Sequence, residues 1–511
     1  MSDPLSIIVR QISGLISLAR ATAAAALLLL TSFAAGAQIA IGHDLVQPLR
    51  PDSVDSVAYY SKKHFWRASA EVVGFNLGLW AFDRYVQKGD FAYISWNSIK
   101  ENFRHGFIWD NDNLGTNTFS HPYNGSIFFN AARANGYNFW QSELFAIGGS
   151  AMWELFMECE YPSTNDIIAT PIGGAALGEI LFRSADAILD DRATGWTRAG
   201  REIAAFVVSP MNGINRIVTG QAWRRSSTSG KIFGHPRLSI RLSAGIKFLE
   251  LQGRLGDMAT GFDTEIDVEY GDRFRNLDVQ RPYDYFTVHA ELQAMKGQPV
   301  LNQLEIKGRL LGKELLKDRD THASVGLYQH FDFYDSDTID RLQRVPFKLG
   351  IPACVGGGVI FRDIQRGSHR FNAFLHTGAV LLGSVLSDHY TSDNRNYNWA
   401  QGFSVKLGAN FVFANKKIAL SLYNNFYRLF TWKGYRKGTD LATSDYRTLN
   451  VMGDKSDSYF NVTDARLDIR LKNRLFLTVA FSNYFRFTHY RDFSDVRSST
   501  MALRFLLSYR L

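Results

Sequence analysis

The stretch Leu238-Ser239-Ile240-Arg241-Leu242-Ser243-Ala244-Gly245-Ile246-Lys247-Phe248 alternates apolar with polar or small residues. Successive side chains of a β-strand point to opposite faces, so this segment has one apolar and one polar face. The pattern recurs downstream. Phe262, Ile266, Val268 and Tyr270 oppose Asp263, Glu265, Asp267 and Glu269. Phe286, Val288, Ala290 and Leu292 oppose Thr287, His289, Glu291 and Gln293, and Leu304, Ile306 and Leu310 oppose Glu305, Lys307 and Arg309. Ala465, Leu467, Ile469 and Leu471 alternate with Arg466, Asp468, Arg470 and Lys472.

A soluble sandwich would show the same alternation. Three features favour a membrane barrel. The segments run to about 12–18 residues, where soluble strands average about 5–6, and a tilted membrane strand needs about 9–11. Aromatic residues crowd the strand ends: Tyr283 and Tyr285, Phe331, Phe333 and Tyr334, Phe426, Tyr427 and Phe430, Tyr484, Phe485 and Phe487. Outer-membrane barrels carry such girdles at both interfaces. Finally, Leu503, Phe505, Leu507, Tyr509 and Leu511 alternate with Arg504, Leu506, Ser508 and Arg510. That ending resembles the C-terminal insertion signal of outer-membrane barrels, which implies the barrel assembly machinery as a partner. Residues 235–511 hold about 12 such segments, an even number as bacterial barrels use. The acidic second segment beside Arg241, Lys247, Arg504 and Arg510 predicts a cross-strand ladder and a packed or narrow lumen.

The N-terminus reads as an export signal. Arg10 and Arg20 precede an uncharged stretch from Ala21 to Gly36, and Ala35-Gly36-Ala37 is a small-residue cleavage pattern. The expected organisation is a signal peptide over 1–37, a leader over 38–66, a helical domain over 67–220, a linker over 221–234 and a barrel over 235–511. The fold class is therefore α+β: a helical domain followed by an antiparallel transmembrane barrel. Helices are predicted over 68–86, 94–105, 126–135, 141–159, 164–185 and 193–208. A block this size cannot fit inside a 12-strand barrel, because even 8 strands leave room only for side chains or one small ligand. It is expected below the barrel in the periplasm, or against the inner face of the membrane, on the periplasmic side of the outer membrane of a Gram-negative bacterium.

The chain has 511 residues, with Lys+Arg 57 against Asp+Glu 49 and a net charge of +8. The basic residues are dispersed through strands, so nucleic acid is not an expected partner; outer-membrane lipids are. Two cysteines exclude a disulfide scaffold. A mean hydropathy of −0.15 argues against a multi-helix transporter.

Chemistry-bearing residues concentrate between 105 and 183. His121-Pro122-Tyr123-Asn124-Gly125-Ser126 reads as a turn opening a helix, with Asn124 or Ser126 as cap. Glu154 and Glu158 sit one turn apart, and Ser163 and Asp166 have capping-box spacing. Helices 141–159 and 164–185 should be antiparallel, which sets Gly148-Gly149 opposite Gly173-Gly174, with Gly178 further along. Carboxylates gathered in an apolar helix pair need a cation, a shared proton or arginine partners. Three readings stay open: caps and ion pairs to Arg133 and Arg183, an acid/base set of His121, Glu154 and Asp166, or a metal held by His121, Glu154, Glu158 and Asp166. No HExxH, GxSxG or Walker A sequence is present.

The segments HPYNGSIFFNAARANGYNFW (121–140) and GGSAMWELFMECEYPSTNDIIATPIGGAALGEILF (148–182) resemble a family of Gram-negative outer-membrane proteins that carries a domain of unknown function before a barrel. A weaker likeness is to VanZ-like helical proteins, with His121, Glu154, Asp166, Gly174 and Gly178 at the matching positions. Together these imply a role in envelope maintenance, with a lipid or glycan as possible substrate. His121, Glu154 and Asp166 would be catalytic, and Asn124, Asn130, Arg133 and Glu158 would bind the ligand. Cofactor and metal identity stay open. The alternative is a non-enzymatic narrow pore, or a structural protein whose helical domain gates or supports the barrel.

Overall fold

The computed structural model describes residues 62–511 apart from 227, 252–257, 275–280, 319, 339–343, 366–368, 393 and 414–416. The expected signal peptide and most of the leader lie outside the described residues.

Alternation becomes twelve strands: β1 (Leu238–Leu251), β2 (Met258–Gly271), β3 (Tyr285–Ala294), β4 (Leu301–Lys317), β5 (Thr321–Asp335), β6 (Lys348–Gln365), β7 (His369–Leu386), β8 (Tyr397–Phe413), β9 (Ile418–Thr431), β10 (Ser456–Lys472), β11 (Leu475–Tyr490) and β12 (Val496–Arg510). Each pairs antiparallel with its neighbours in sequence, and β1 closes on β12 with Lys247 opposite Arg504. Closure leaves no sheet edge to satisfy. The end holding the β1 start and β12 finish carries short connections, such as the two-residue turn at 473–474. The other end carries longer loops, including 336–347, 387–396 and 432–455.

Side-chain contacts between non-adjacent strands identify the interior face. Lys247 on β1 donates to Gln293 on β3 at 2.8 Å, Asn425 on β9 to Glu305 on β4 at 2.9 Å, and Arg241 on β1 to Asp468 on β10 at 3.0 Å. Arg466 pairs with Glu265, Lys406 with Asp332, and Arg504 with Glu291 in the same way. The expected ladder is thus a three-dimensional network that fills much of the lumen. Two sections of lumen differ. Towards the short-turn end lies a cavity of about 430 Å³ lined by Arg241, Asp267, His289, Glu305 and their neighbours. Towards the long-loop end, Tyr334, Phe347, Tyr427, Phe460 and Tyr484 pack into a buried aromatic layer.

This layer corrects the reading of the strand-end aromatics. Tyr334, Tyr427 and Tyr484 lie on the interior parity and fill the lumen rather than an interfacial girdle. Phe331 and Phe333 lie on the outer parity but are covered by helices.

The helices are α1 (Phe65–Phe82), α2 (Trp96–His105), α3 (His121–Ala134), α4 (Phe139–Met152), α5 (Asp166–Ile188), α6 (Gly195–Val208) and α7 (Pro210–Val218), with a short α8 (Tyr446–Leu449) in the β9–β10 loop. The α4 start is fixed by a capping box: Gln141 N donates to Asn138 Oδ1 at 3.0 Å, and Asn138 N donates to Gln141 Oε1 at 3.3 Å. The α3 start differs from expectation. Helical backbone already runs through 116–120 as a π-helical turn, so Asn124 and Ser126 lie inside α3 and cap nothing. Helix α7 falls where no helix was expected. The segment after it, read as a linker, is tied down by Ile232 N donating to Asp186 at 2.8 Å.

Helices α1, α3, α4 and α5 form an up-and-down bundle that stands beside the barrel rather than beyond its end. The bundle core and the outer wall are one cluster: Ile127, Phe128, Phe129 and Ile180 join Tyr270, Phe286, Ile306 and Phe331. A second patch joins Leu114, Ala169 and Phe119 to Phe333, Leu382 and Trp399. The expectation of a block below the barrel is therefore corrected. Size does exclude it from the lumen, but the outward faces of β2–β8 offer an apolar surface large enough to bury one side of a bundle. Helix α5 follows the wall for its full length, about 34 Å at 1.5 Å per residue. Its start lies near the β7–β8 loop, and its end lies near the β2–β3 connection, where Arg183 donates to Pro282 O at 2.7 Å.

Candidate functional site

At the long-loop end of the bundle, three segments converge. The run Trp109-Asp110-Asn111-Asp112 is fixed to the α4–α5 connection by Ile108 N donating to Pro162 O at 2.9 Å and Thr164 N donating to Ile108 O at 2.7 Å. Helix α3 starts there with His121. Helix α4 ends there in a π-helical turn, 153–157, that turns Glu154 inward, where its side chain accepts from Ser163 N at 2.7 Å. Asp166 N donates to Ser163 Oγ at 3.1 Å, one half of the box that the Ser163–Asp166 spacing predicts; the other half is missing because Ser163 N donates to Glu154.

Two of the predicted trio, His121 and Asp166, face one another, and Glu154 is buried nearby, held by Ser163 N. His121 Nε2 lies 3.6 Å from Asp166 Oδ1 and 3.7 Å from Asp112 Oδ2, and it makes no hydrogen bond. Glu154 is 1% exposed and Asp166 3%. Among the described residues, none of Asp110, Asp112, Glu154, Glu158 and Asp166 has an arginine or lysine in ion-pair reach. This group lies level with the long loops, outside the membrane strands. Burial lifts the Glu154 carboxyl to about 7, against the pull of His121. Burial, followed by repulsion from Glu154, pushes Glu158 well above the usual range. Burial, with Asp110 and Glu154 nearby, does the same to Asp166. Burial opposes the charge on His121, but Asp112 and the other carboxylates outweigh it and raise its pKa. Such an arrangement favours the protonated forms of these carboxyls.

Asp110, His121 and Asp166 bring ligand atoms within 4.8 Å of one another, a grouping that could hold a metal ion. Asp110 is already committed, however. Its oxygens accept from Asn117 at 3.2 Å and from Asn165 at 2.8 Å and Ser163 at 3.3 Å. That network joins bundle to barrel: Asn117 donates to Tyr397 Oη at 2.7 Å, and Arg395 donates to Asp110 O at 2.6 Å.

The other predicted residues lie elsewhere. Arg133 is twelve positions along α3 from His121, about 18 Å at the helical rise. It pairs with the fully buried Glu179 at 2.7 Å, which Arg183 also reaches at 2.8 Å. Neither arginine neutralises the carboxylates near His121, so the ion-pair reading of that cluster is overturned. Asn130 is buried with its Oδ1 unpartnered, next to neither His121 nor Glu154 in chain position or helix end. Glu158 edges the site, its carbonyl accepting from Asn102 at 3.1 Å. The glycines also pack differently. Gly174 meets Gly125 of α3, Gly178 meets Phe129, Gly149 meets Phe128, Gly173 meets Pro122 and Pro352, and Gly148 faces open space. Sequence reading missed Asp110, Asp112, Asn117 and Asn165; the acid- and amide-rich run at 110–113 was the available signal.

Fold and site together define a closed 12-strand antiparallel barrel with a wall-mounted helical domain. Residues 106–211 match a domain of unknown function, DUF3943, in agreement with the resemblance drawn from sequence. No curated protein matches the chain. Among solved structures the chain is similar to the NanC porin, with 8% identity, a TM-score of 0.26, and coverage of 54% of this chain and 100% of that one. It is also similar to the outer-membrane channel DcaP of Acinetobacter baumannii, with 8% identity, a TM-score of 0.22, and coverage of 54% and 97%. The toluene transporter TodX of Pseudomonas putida gives 7%, 0.22, 54% and 89%. The matched share in each case is about half of the chain.

Proposed function

We propose that this chain is an outer-membrane barrel with a narrow, gated lumen that admits small anions from the short-turn side, its wall supported by the helical domain. Short turns face the periplasm in such barrels. The observation that carries this reading is the 430 Å³ cavity and its charge. Arg241 and Arg273 in its lining are paired with Asp267 and Glu269. Arg237, Arg362, Arg370 and Arg510 also line it or its mouth, and among the described residues they make no ion pair; the Nε of Arg362 is buried without a partner. Guanidinium groups left over in a polar cavity favour carboxylate or phosphate. The aromatic layer would be the gate.

Planar-bilayer recordings of the full chain test this. Tyr427→Ala and Phe460→Ala should enlarge the conductance, and the reversal potential in a salt gradient should show anion preference. Silence in both variants, or cation preference, removes the reading.

A second reading is favoured by the approach of His121 to Asp166, with Glu154 buried nearby: acid–base chemistry on an envelope lipid or glycan at the long-loop end. His121 would exchange the proton, with Asp166 and Glu154 tuning it. His121→Ala and Glu154→Gln should then change the lipid or glycan profile of the envelope while leaving conductance intact. An unchanged profile in both removes this reading.

A further inference from the structure

We infer that the outer face of the helical bundle is seated in the acyl-chain region of the bilayer, as a lateral extension of the barrel's lipid-facing wall. The helices are inside-out. On α1 the exposed side is Phe65, Trp66, Val73, Leu77 and Phe82, joined only by small residues, while its polar residues turn inward. Asn76 is fully buried and donates to Gly149 O at 3.1 Å, and Glu71 accepts from Asn135 at 2.9 Å and Asn215 at 3.0 Å. On α4, Trp140, Leu144 and Ile147 face out, whereas Ser142 and Ser150 are buried. On α6 and α7, Ile203, Phe206, Val207, Ile214 and Val218 face out over a buried ionic knot, in which Arg216 pairs with Asp191 at 2.6 Å and Glu202 at 2.7 Å.

A water-facing bundle has the opposite pattern, and soluble monomers rarely expose a contiguous apolar patch beyond about 600 Å². Place decides the occupant. The bundle's inner side is welded to the outward faces of β2–β6, the same faces that elsewhere around the barrel present Leu375, Leu407, Phe411 and Phe505. A body attached to the lipid-facing wall over its height is itself surrounded by lipid. Among the described residues no helix is long and apolar enough to cross a membrane by itself. The bundle avoids that requirement, because side chains such as Asn76, Glu71 and Arg216 turn inward and bond to other parts of the bundle.

The inference rests on the barrel standing in a bilayer, so the test carries a barrel reference. Single cysteines are placed at Leu77 and Leu144, at Leu375 on the barrel wall and at Thr439 in a long loop, in full-length protein with Cys159→Ser; Cys354 is buried. Each is spin-labelled and reconstituted in phosphatidylcholine vesicles after screening for normal heat-modifiability. The labels at Leu77 and Leu144 should collide with oxygen more than with a water-soluble nickel chelate, as Leu375 does and Thr439 does not. Nickel access at Leu77 and Leu144 with Leu375 still lipid-like overturns the inference alone. Nickel access at Leu375 overturns the bilayer placement of the barrel, and the inference with it. Exclusion of both reagents from Leu77 and Leu144 means that protein covers the face and also overturns it. Independently, brominated acyl chains should quench tryptophan fluorescence, and quench it less in W66F/W140F; equal quenching counts against the inference.

Discussion

Gly125 of α3 and Gly174 of α5 meet backbone to backbone: a Cβ on Gly174 would lie 2.5 Å from the carbonyl carbon of Gly125. The same addition on Gly125 would overlap the Thr170 carbonyl. Helix α5 lies on the barrel wall, so this crossing fixes how closely α3, and with it His121, approaches the barrel.

Gly174→Ala is therefore expected to cost about 3 kcal/mol, the upper range for overpacking, because backbone cannot move aside as a side chain can. Gly148→Ala meets nothing within 4 Å and should stabilise α4 by up to about 1 kcal/mol through helix propensity alone. Denaturant unfolding in micelles, followed by tryptophan fluorescence, separates the two. A neutral Gly174→Ala would refute the close crossing.

Glu179 is the single carboxylate between two guanidiniums, with Arg183 tied onward to Asp284 at 3.3 Å in the β2–β3 connection. Breaking one partner of a buried ion pair typically costs about 3–5 kcal/mol. Glu179→Ala should cost at least that, since two cations lose their counter-charge. Loosening should appear first where α5 meets the barrel, as faster amide exchange over 180–188. Uniform exchange along α5 would count against this role.

Glu291 plays the corresponding part in the lumen, pairing with Lys247 and Arg504 from β1 and β12, the strands that close the barrel. Glu291→Ala should lower the temperature at which the folded, fast-migrating band converts on gels. Glu291→Gln, which keeps the shape and one acceptor, should convert between the two. Identical conversion of all three proteins would show that closure does not depend on this group.

The barrel was legible because its alternation is local: each residue reports its own face whatever its neighbours do. Strand count and closure follow from that. What period two cannot report is which outward faces are covered. Phe331 and Phe333 carry the same signal as Phe505, yet two lie under the turn that leads into α3 and one is exposed. The bundle's position was lost for that reason, as was its polarity, because a lipid-facing helix and a water-facing helix have similar periods and differ only in which stripe turns inward. His121, Glu154 and Asp166 were legible as residues that burial would not leave idle. Asp110 and Asn117 were not, since their barrel partners Arg395 and Tyr397 lie more than 200 positions away along the chain.

The carboxylates around His121 make a pH prediction whose sign is fixed. Glu154 has a folded pKa of about 7 against an ordinary 4.5, and Glu158 and Asp166 are displaced the same way, by burial first. The folded state therefore holds more protons than the unfolded state, and stability falls as pH rises. For Glu154 the contribution is fully present below about 4.5 and is lost by about 7. His121 acts in the same direction, because its pKa is also raised and its protonated form is favoured in the fold. The bundle should melt at a higher temperature at pH 5 than at pH 8, by tryptophan fluorescence in micelles, and Glu154→Gln should reduce that difference by raising the pH 8 value. A bundle that melts higher at pH 8, with the difference abolished by a chelator, would mean that a bound cation rather than protons neutralises these carboxylates.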